Sequence, residues 1–173
     1  KFGGLYLDIP KLRILNILYS FFEDFGLLIL TSVPQDQVFA SFRSINILGG
    51  NIIIRNVDHD GVPKFLSASD FGLSINKSFP SGKYLSPVKI GEYWANGLPV
   101  LMTEGIGDER NFLEKEKGGV LFNENNLMSS LEKLREILDD PDHRIKIPEL
   151  ARKYRSFDTV KQAYEKMIIS PEQ

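Results

Sequence analysis

Five short runs in this chain are rich in apolar residues, and stretches of helix length separate most of them. They are residues 27–31, 51–57 with Ile52-Ile53-Ile54 inside, 71–75, 99–103 and Gly119–Phe122. A short apolar run bounded by turn residues reads as a strand buried on both faces. Residues 2–5 add one more candidate, first in chain order, which closes at Gly3-Gly4. Between the runs the spacing changes to the helical period. Residues 10–25 carry Leu12, Leu15, Tyr19 and Phe22 at that spacing, with Gly26 as the expected stop. Residues 34–42, 62–68, 87–96 and 110–117 are further helix candidates. Strands that alternate with helices pair in parallel and are covered on both faces. The expected fold is α/β: a doubly wound, six-stranded parallel sheet in order 3-2-1-4-5-6, with right-handed crossovers.

Beyond position 123 no strand pattern returns. Leu127, Leu131, Leu134 and Leu138 have amphipathic spacing, and residues 139–142, with Pro141, end that helix. Residues 147–154 and Phe157–Ile169 complete a helical tail. Residues 1–140 are therefore expected to form one domain, and 141–173 a helical extension packed on it. The chain opens on Lys1-Phe2-Gly3-Gly4-Leu5, the end of a strand entering a glycine turn. An N-terminal part before it is expected.

Charge and composition limit the partners. A formal net charge of −2 argues against nucleic acid, which calls for a basic face. With 42% hydrophobic and 25% charged residues the chain has the balance of a globular protein. It has no cysteine, hence no disulfide framework and no Cys-based zinc site. No apolar run approaches the ~20 residues of a membrane span, and no signal peptide pattern is visible. His59 and His143 do not form a site, and no metal is expected.

One stretch reads as a complete unit: Ser86-Pro87-Val88-Lys89-Ile90-Gly91-Glu92-Tyr93-Trp94-Ala95-Asn96-Gly97-Leu98-Pro99-Val100. Ser86 is expected to cap a helix, with Pro87 in its first turn and Gly97 as its left-handed stop. Free N–H groups at Val88 and Lys89, with the helix dipole behind them, favour a phosphate. Glu92 lies three residues beyond Lys89 on roughly the same face. At ~1.5 Å per residue it stands ~6 Å past Val88, about the offset between a diphosphate and its ribose. The same spacing also serves a plain Lys–Glu pair on a capped surface helix. Tyr93, Trp94 and Leu98 are expected to pack against the sheet. In sheets of this order a ligand lies beyond the strand ends where the order reverses, between the first and fourth strands. Gly3-Gly4 either admit a ligand there or simply turn the chain. Gly105-Ile106-Gly107-Asp108 either lines the same crevice or is an ordinary strand-to-helix turn. The 56–61 loop has backbone that can meet a base, and Lys83 either reaches phosphate or solvates its loop.

In order along the chain, these pieces resemble the C-terminal domain of retaining GT-B glycosyltransferases of the group-one, family-four type. The likeness is carried by Phe65-Leu66-Ser67-Ala68-Ser69-Asp70-Phe71-Gly72-Leu73-Ser74 and by the stretch from Ser86 to Val100. Gly105-Ile106-Gly107-Asp108 and Gly118-Gly119-Val120-Leu121-Phe122 follow. It spans roughly residues 1–169 and is densest over 64–122. It implies a Rossmann-like domain that binds a nucleotide-diphosphate sugar. By this resemblance Glu92 matches the second glutamate of the family's paired-glutamate motif, which holds the ribose. Ser86, Pro87, Val88 and Lys89 match the helix start that meets the diphosphate and sugar, and Gly3 and Gly4 match the turn that faces the phosphates. Lys89 and Glu92 are the catalytic candidates, with Lys89 stabilising the departing diphosphate electrostatically.

This chain departs from the pattern at two places. Tyr84 stands where the first glutamate of the pair belongs. Gly4 and Leu5 stand where an arginine is usual, and Lys11 is only an approximate match for the family's lysine. The resemblance further implies a UDP-sugar or GDP-sugar donor, no cofactor, and transfer of a glycosyl unit with retention. It implies an N-terminal acceptor domain of the same protein that residues 1–173 do not cover, so this piece alone is expected to be inactive. A cytoplasmic location, with peripheral membrane association through the full-length protein, is expected. A degenerate, non-enzymatic binding module and a nucleotide-sugar epimerase of GT-B architecture are the alternatives.

Overall fold

The computed structural model describes residues 9–43, 51–76, 80–107 and 113–169. The chain divides into two compact units, Lys1–Phe65 and Leu66–Gln173.

The first unit runs α1 (Ile9–Phe21), β1 (Gly26–Leu30), α2 (Gln35–Arg43), β2 (Asn51–Arg55), a 3-10 turn (His59–Gly61) and α3 (Val62–Leu66), which ends one residue into the second unit. Leu12, Leu15 and Leu18 bury one stripe of α1, and Val38 and Phe42 bury one of α2. β1 and β2 pair in parallel, with Leu27 opposite Ile52 and Ile29 opposite Ile54. The first helix stops earlier than its spacing predicts. A turn over 22–25 follows Phe21, closed by the Phe25 N–H on the Phe22 carbonyl at 3.3 Å and by the Tyr19 and Phe25 rings meeting edge-on at 4.8 Å. Gly26 therefore opens β1 and does not end α1.

The second unit continues with β3 (Gly72–Ser74), α4 (Val88–Ala95), β4 (Val100–Thr103), β5 (Gly119–Phe122), α5 (Leu127–Asp139), α6 (His143–Arg155) and α7 (Phe157–Ile169). Its strands form a parallel sheet in order β3-β4-β5. Every residue of β5 and all but the last of β4 are buried, as a strand covered on both faces requires. Ile90 and Trp94 of α4, Val100 and Met102 of β4, Leu121 of β5, and Ile147 and Leu150 of α6 share one core. On α5, Leu127, Leu131 and Leu134 are buried, and Ser130 Oγ donates to the Leu121 carbonyl at 2.8 Å.

Two expectations change around β5 and the tail of this unit. The helix expected over 110–117 is not seen: residues 113–117 are turns, and 110–112 lie outside the described residues. The tail helix begins at His143 rather than 147, because the Asp142 carbonyl accepts from Ile145 and Lys146 at 2.9 and 3.0 Å and restarts the helix just after Pro141. α7 has the predicted bounds. It is capped by Ser156, whose Oγ accepts from the Thr159 N–H at 3.2 Å. Phe157, Val160, Tyr164, Met167 and Ile168 along it are exposed.

The architecture is thus α/β with parallel sheets. The order 3-2-1-4-5-6 needs residues 2–5 as its first strand, and these lie outside the described residues, as do Gly3 and Gly4. Among the described residues no helix is long and apolar enough to cross a membrane.

Candidate functional site at the start of α4

β3 and β4 are parallel neighbours, so α4, which joins them, must run back along the sheet. Its first turn consequently lies at the carboxyl ends of the strands. Hydrogen bonds tie the loops together at that end. The Asn76 N–H donates to Thr103 Oγ1 at 3.1 Å, and the Glu104 N–H donates to the Phe122 carbonyl at 2.8 Å. Asn123 Nδ2 donates to Glu104 Oε2 at 2.7 Å. The Gly107 N–H donates to the Gly82 carbonyl at 2.9 Å. This last bond joins the glycine loop after β4 to the segment that leads into α4.

The helix starts one residue later than predicted. Pro87 is its N-cap, extended at φ −69° and ψ 96°, and the Ile90 N–H reaches the Pro87 carbonyl at 3.1 Å. Ser86 does not cap α4. With Pro87 in the cap position, Ser86 lies one residue too far out to reach the first-turn N–H groups. Its Oγ instead accepts from Arg155 Nη1 at 2.9 Å. Among the described residues no side chain caps the turn, and the N–H groups of Val88 and Lys89 have no intrahelical acceptor. Val88 is 75% exposed and Lys89 is exposed, while Glu92 is half-buried. The Lys89–Glu92 pair that the spacing allows is not formed among the described residues.

The opposite face of α4 is fixed. Ile90 and Trp94 are wholly buried, as is Leu98. Trp94 Nε1 donates to the Gly118 carbonyl at 2.8 Å. The Tyr93 hydroxyl donates to the Leu73 carbonyl at 3.4 Å, and a Cβ at Gly72 would land in the Tyr93 ring. Burial, and secondarily the negative charge of Glu92, pushes the Tyr93 hydroxyl up to about 12. The helix ends as predicted at Gly97, with φ +74°. There the Gly97 N–H bonds to the Trp94 carbonyl at 2.9 Å and the Leu98 N–H to the Tyr93 carbonyl at 3.0 Å.

The remaining candidates fall as follows. Tyr84 is 79% exposed, in a 3-10 turn over Gly82–Tyr84, with Lys83 Nζ 5.0 Å from its ring centre. His59 lies in the turn after β2, and His143 at the start of α6. Among the described residues no cluster suits a metal ion. Arg155 is the site residue that the sequence did not reveal, since the tail cations read there as a solvated face. A cavity of about 430 Å³ opens at the amino end of β5, lined by Glu114, Lys117, Gly119, Glu136, Asp140 and His143 among others. No residue of the α4 start lines it.

The family described as glycosyl transferase-like matches residues 32–167. Among solved structures, that of WaaG, a glycosyltransferase involved in lipopolysaccharide biosynthesis, matches with a TM-score of 0.50 at 18% identity. The match covers 98% of this chain and 55% of that one, so the chain spans little more than half of the WaaG chain. At this identity the likeness is one of fold. No curated protein matches.

Proposed function

Because this chain belongs to the glycosyl transferase-like family, we propose that it is the nucleotide-sugar donor-binding half of a glycosyltransferase. The reading rests on one observation: the uncapped start of α4 stands at the carboxyl ends of β3 and β4, with Lys89 exposed beside it and Glu92 unpaired among the described residues. The N–H groups of Val88 and Lys89 hold the donor diphosphate, and the Lys89 ammonium neutralises it as it departs. Glu92, one turn further on, accepts from the ribose hydroxyls. In the full-length protein an N-terminal domain supplies the acceptor, and a glycosyl unit moves from UDP- or GDP-sugar to it with retention. Gly3 and Gly4 face the phosphates in the same proposal.

Calorimetric titration of the full-length protein with UDP, GDP and ADP tests the reading. One of the three is expected to bind, and Lys89→Ala and Glu92→Ala are each expected to weaken it about tenfold or more. Absence of binding at millimolar ligand sinks the donor site. Unchanged transferase activity in both variants would instead favour the non-enzymatic module, which Tyr84 in place of an acid motivates.

A further inference from the structure

Arg155 is the last residue of α6, and its side chain runs back to the segment that enters α4. Its Nη1 donates to Ser86 Oγ at 2.9 Å. Its Cβ and Cγ each lie 3.2 Å from where a Cβ at Gly91 would stand, so a glycine there lets the stem lie close against α4. The base of the side chain is fixed as well. α6 stops at Arg155 because Ser156 turns extended, at φ −73° and ψ 155°, and caps α7. A planar guanidinium with a fixed origin and stem is an anchor that a lysine would not reproduce.

What it anchors is not held by the cap residue. Pro87 has neither an N–H nor a polar side chain, so nothing in the cap residue itself sets the angle at which the chain enters α4. Ser86 is the nearest polar side chain before it, and Arg155 holds that side chain. The charges at this end point the same way. A cation near the amino end of a helix opposes the helix dipole. Both Lys89 and Arg155 are placed there, an arrangement that suits an end meant to receive an anion.

We propose that Arg155 is a positioning residue for the donor diphosphate: by holding Ser86 it fixes the extended Pro87 and aims the N–H groups of Val88 and Lys89. The inference rests on the donor-site reading above and adds a residue from α6 to it. The test uses the full-length protein and whichever of UDP, GDP or ADP binds it best, with the matching nucleoside as comparator. Arg155→Met keeps the stem against Gly91 but removes the donor and the charge. Ser86→Ala removes the acceptor at an exposed position, so folding is not at stake. Each is expected to weaken the nucleoside diphosphate about tenfold, the scale of one charge-assisted hydrogen bond, and to leave the nucleoside unchanged. The double variant is expected to be no weaker than the weaker single, and Arg155→Lys to recover part of the loss. Unchanged diphosphate binding in Arg155→Met overturns the proposal. So do effects that multiply in the double variant, or an equal loss for the nucleoside. Failure of the wild type to bind any of the three nucleotides is a different result: it removes the donor site itself, and this inference with it.

Discussion

At its carboxyl end α4 closes with the backbone N–H groups of Asn96, Gly97 and Leu98 all bonded to carbonyls of its last turn, and the Asn96 side chain also donates to the Glu92 carbonyl at 2.8 Å. At its amino end no side chain among the described residues caps the turn, and Arg155 of α6 steadies the entry through Ser86. One eight-residue helix thus has a locally satisfied, buried end and an open, exposed one. Packing concentrates at the held end, and at the other the N–H groups of Val88 and Lys89 lack an intrahelical acceptor. Stability and binding should therefore separate along α4, and substitutions along it test that separation.

The largest effect is expected at Trp94. It is wholly buried, and its Nε1 bonds to the carbonyl of Gly118, which also accepts from the Val100 N–H at 3.1 Å. Trp94→Ala should cost about 3–5 kcal/mol in denaturant unfolding, the range for emptying a large aromatic site. A loss near ~1 kcal/mol would mean that the second unit does not fold around this helix.

Gly97 comes next. At φ +74° an alanine is strained, and its Cβ would sit 2.9 Å from the Arg144 carbonyl. That carbonyl cannot retreat into a helical bond of its own, since Pro148 is the residue that would donate to it. Gly97→Ala should cost about 2 kcal/mol. Val88→Ala, at the open end of the same helix, should stay within about 0.5 kcal/mol. Equal losses at the two positions would erase the contrast.

Most of α4 was legible in the sequence. Gly97 as the stop, and Trp94 and Leu98 as core, follow from local rules that hold wherever the helix lies. The open end was harder to read, because its geometry depends on a residue 69 positions away. Ser86-Pro87 has the form of a cap followed by a first-turn proline, whereas Pro87 itself is extended at the cap position and the Ser86 hydroxyl is engaged by Arg155. Gly91 gave the same kind of incomplete signal. A glycine inside a helix calls for a close neighbour, but nothing in the sequence says that the neighbour is α6. The α6 start was missed because Asp140-Pro141-Asp142 reads as a terminator, whereas the Asp142 carbonyl begins the next helix at once.

The last effect, absent at neutral pH, is a pH dependence carried by Tyr93, which lies on the fixed face beside Glu92 on the open one. Its hydroxyl holds its proton up to about 12 in the folded chain, through burial first and the Glu92 charge second. In the unfolded chain a tyrosine ionises near ~10. Below that both states are neutral and the group contributes no pH dependence. Between about 10 and 12 the unfolded state binds fewer protons than the folded one, so unfolding becomes easier as pH rises. The accumulated loss should be about 2 kcal/mol by pH ~12. Burial also raises Tyr19, and lysines titrate in the same range, so the wild-type curve alone does not isolate Tyr93. The difference between wild type and Tyr93→Phe does, because the phenylalanine keeps the ring above Gly72 and removes only the ionisable group. The two unfolding curves should diverge above pH ~10, with Tyr93→Phe the less alkali-sensitive. Glu92→Gln should leave the onset near pH ~10 and make the accumulated loss slightly smaller, because the carboxylate's share of the raised pKa is lost and the folded tyrosine then ionises at a lower pH. Parallel curves for wild type and Tyr93→Phe would show that Tyr93 is solvated in the folded chain, and the fixed face of α4 would then be smaller than its packing indicates.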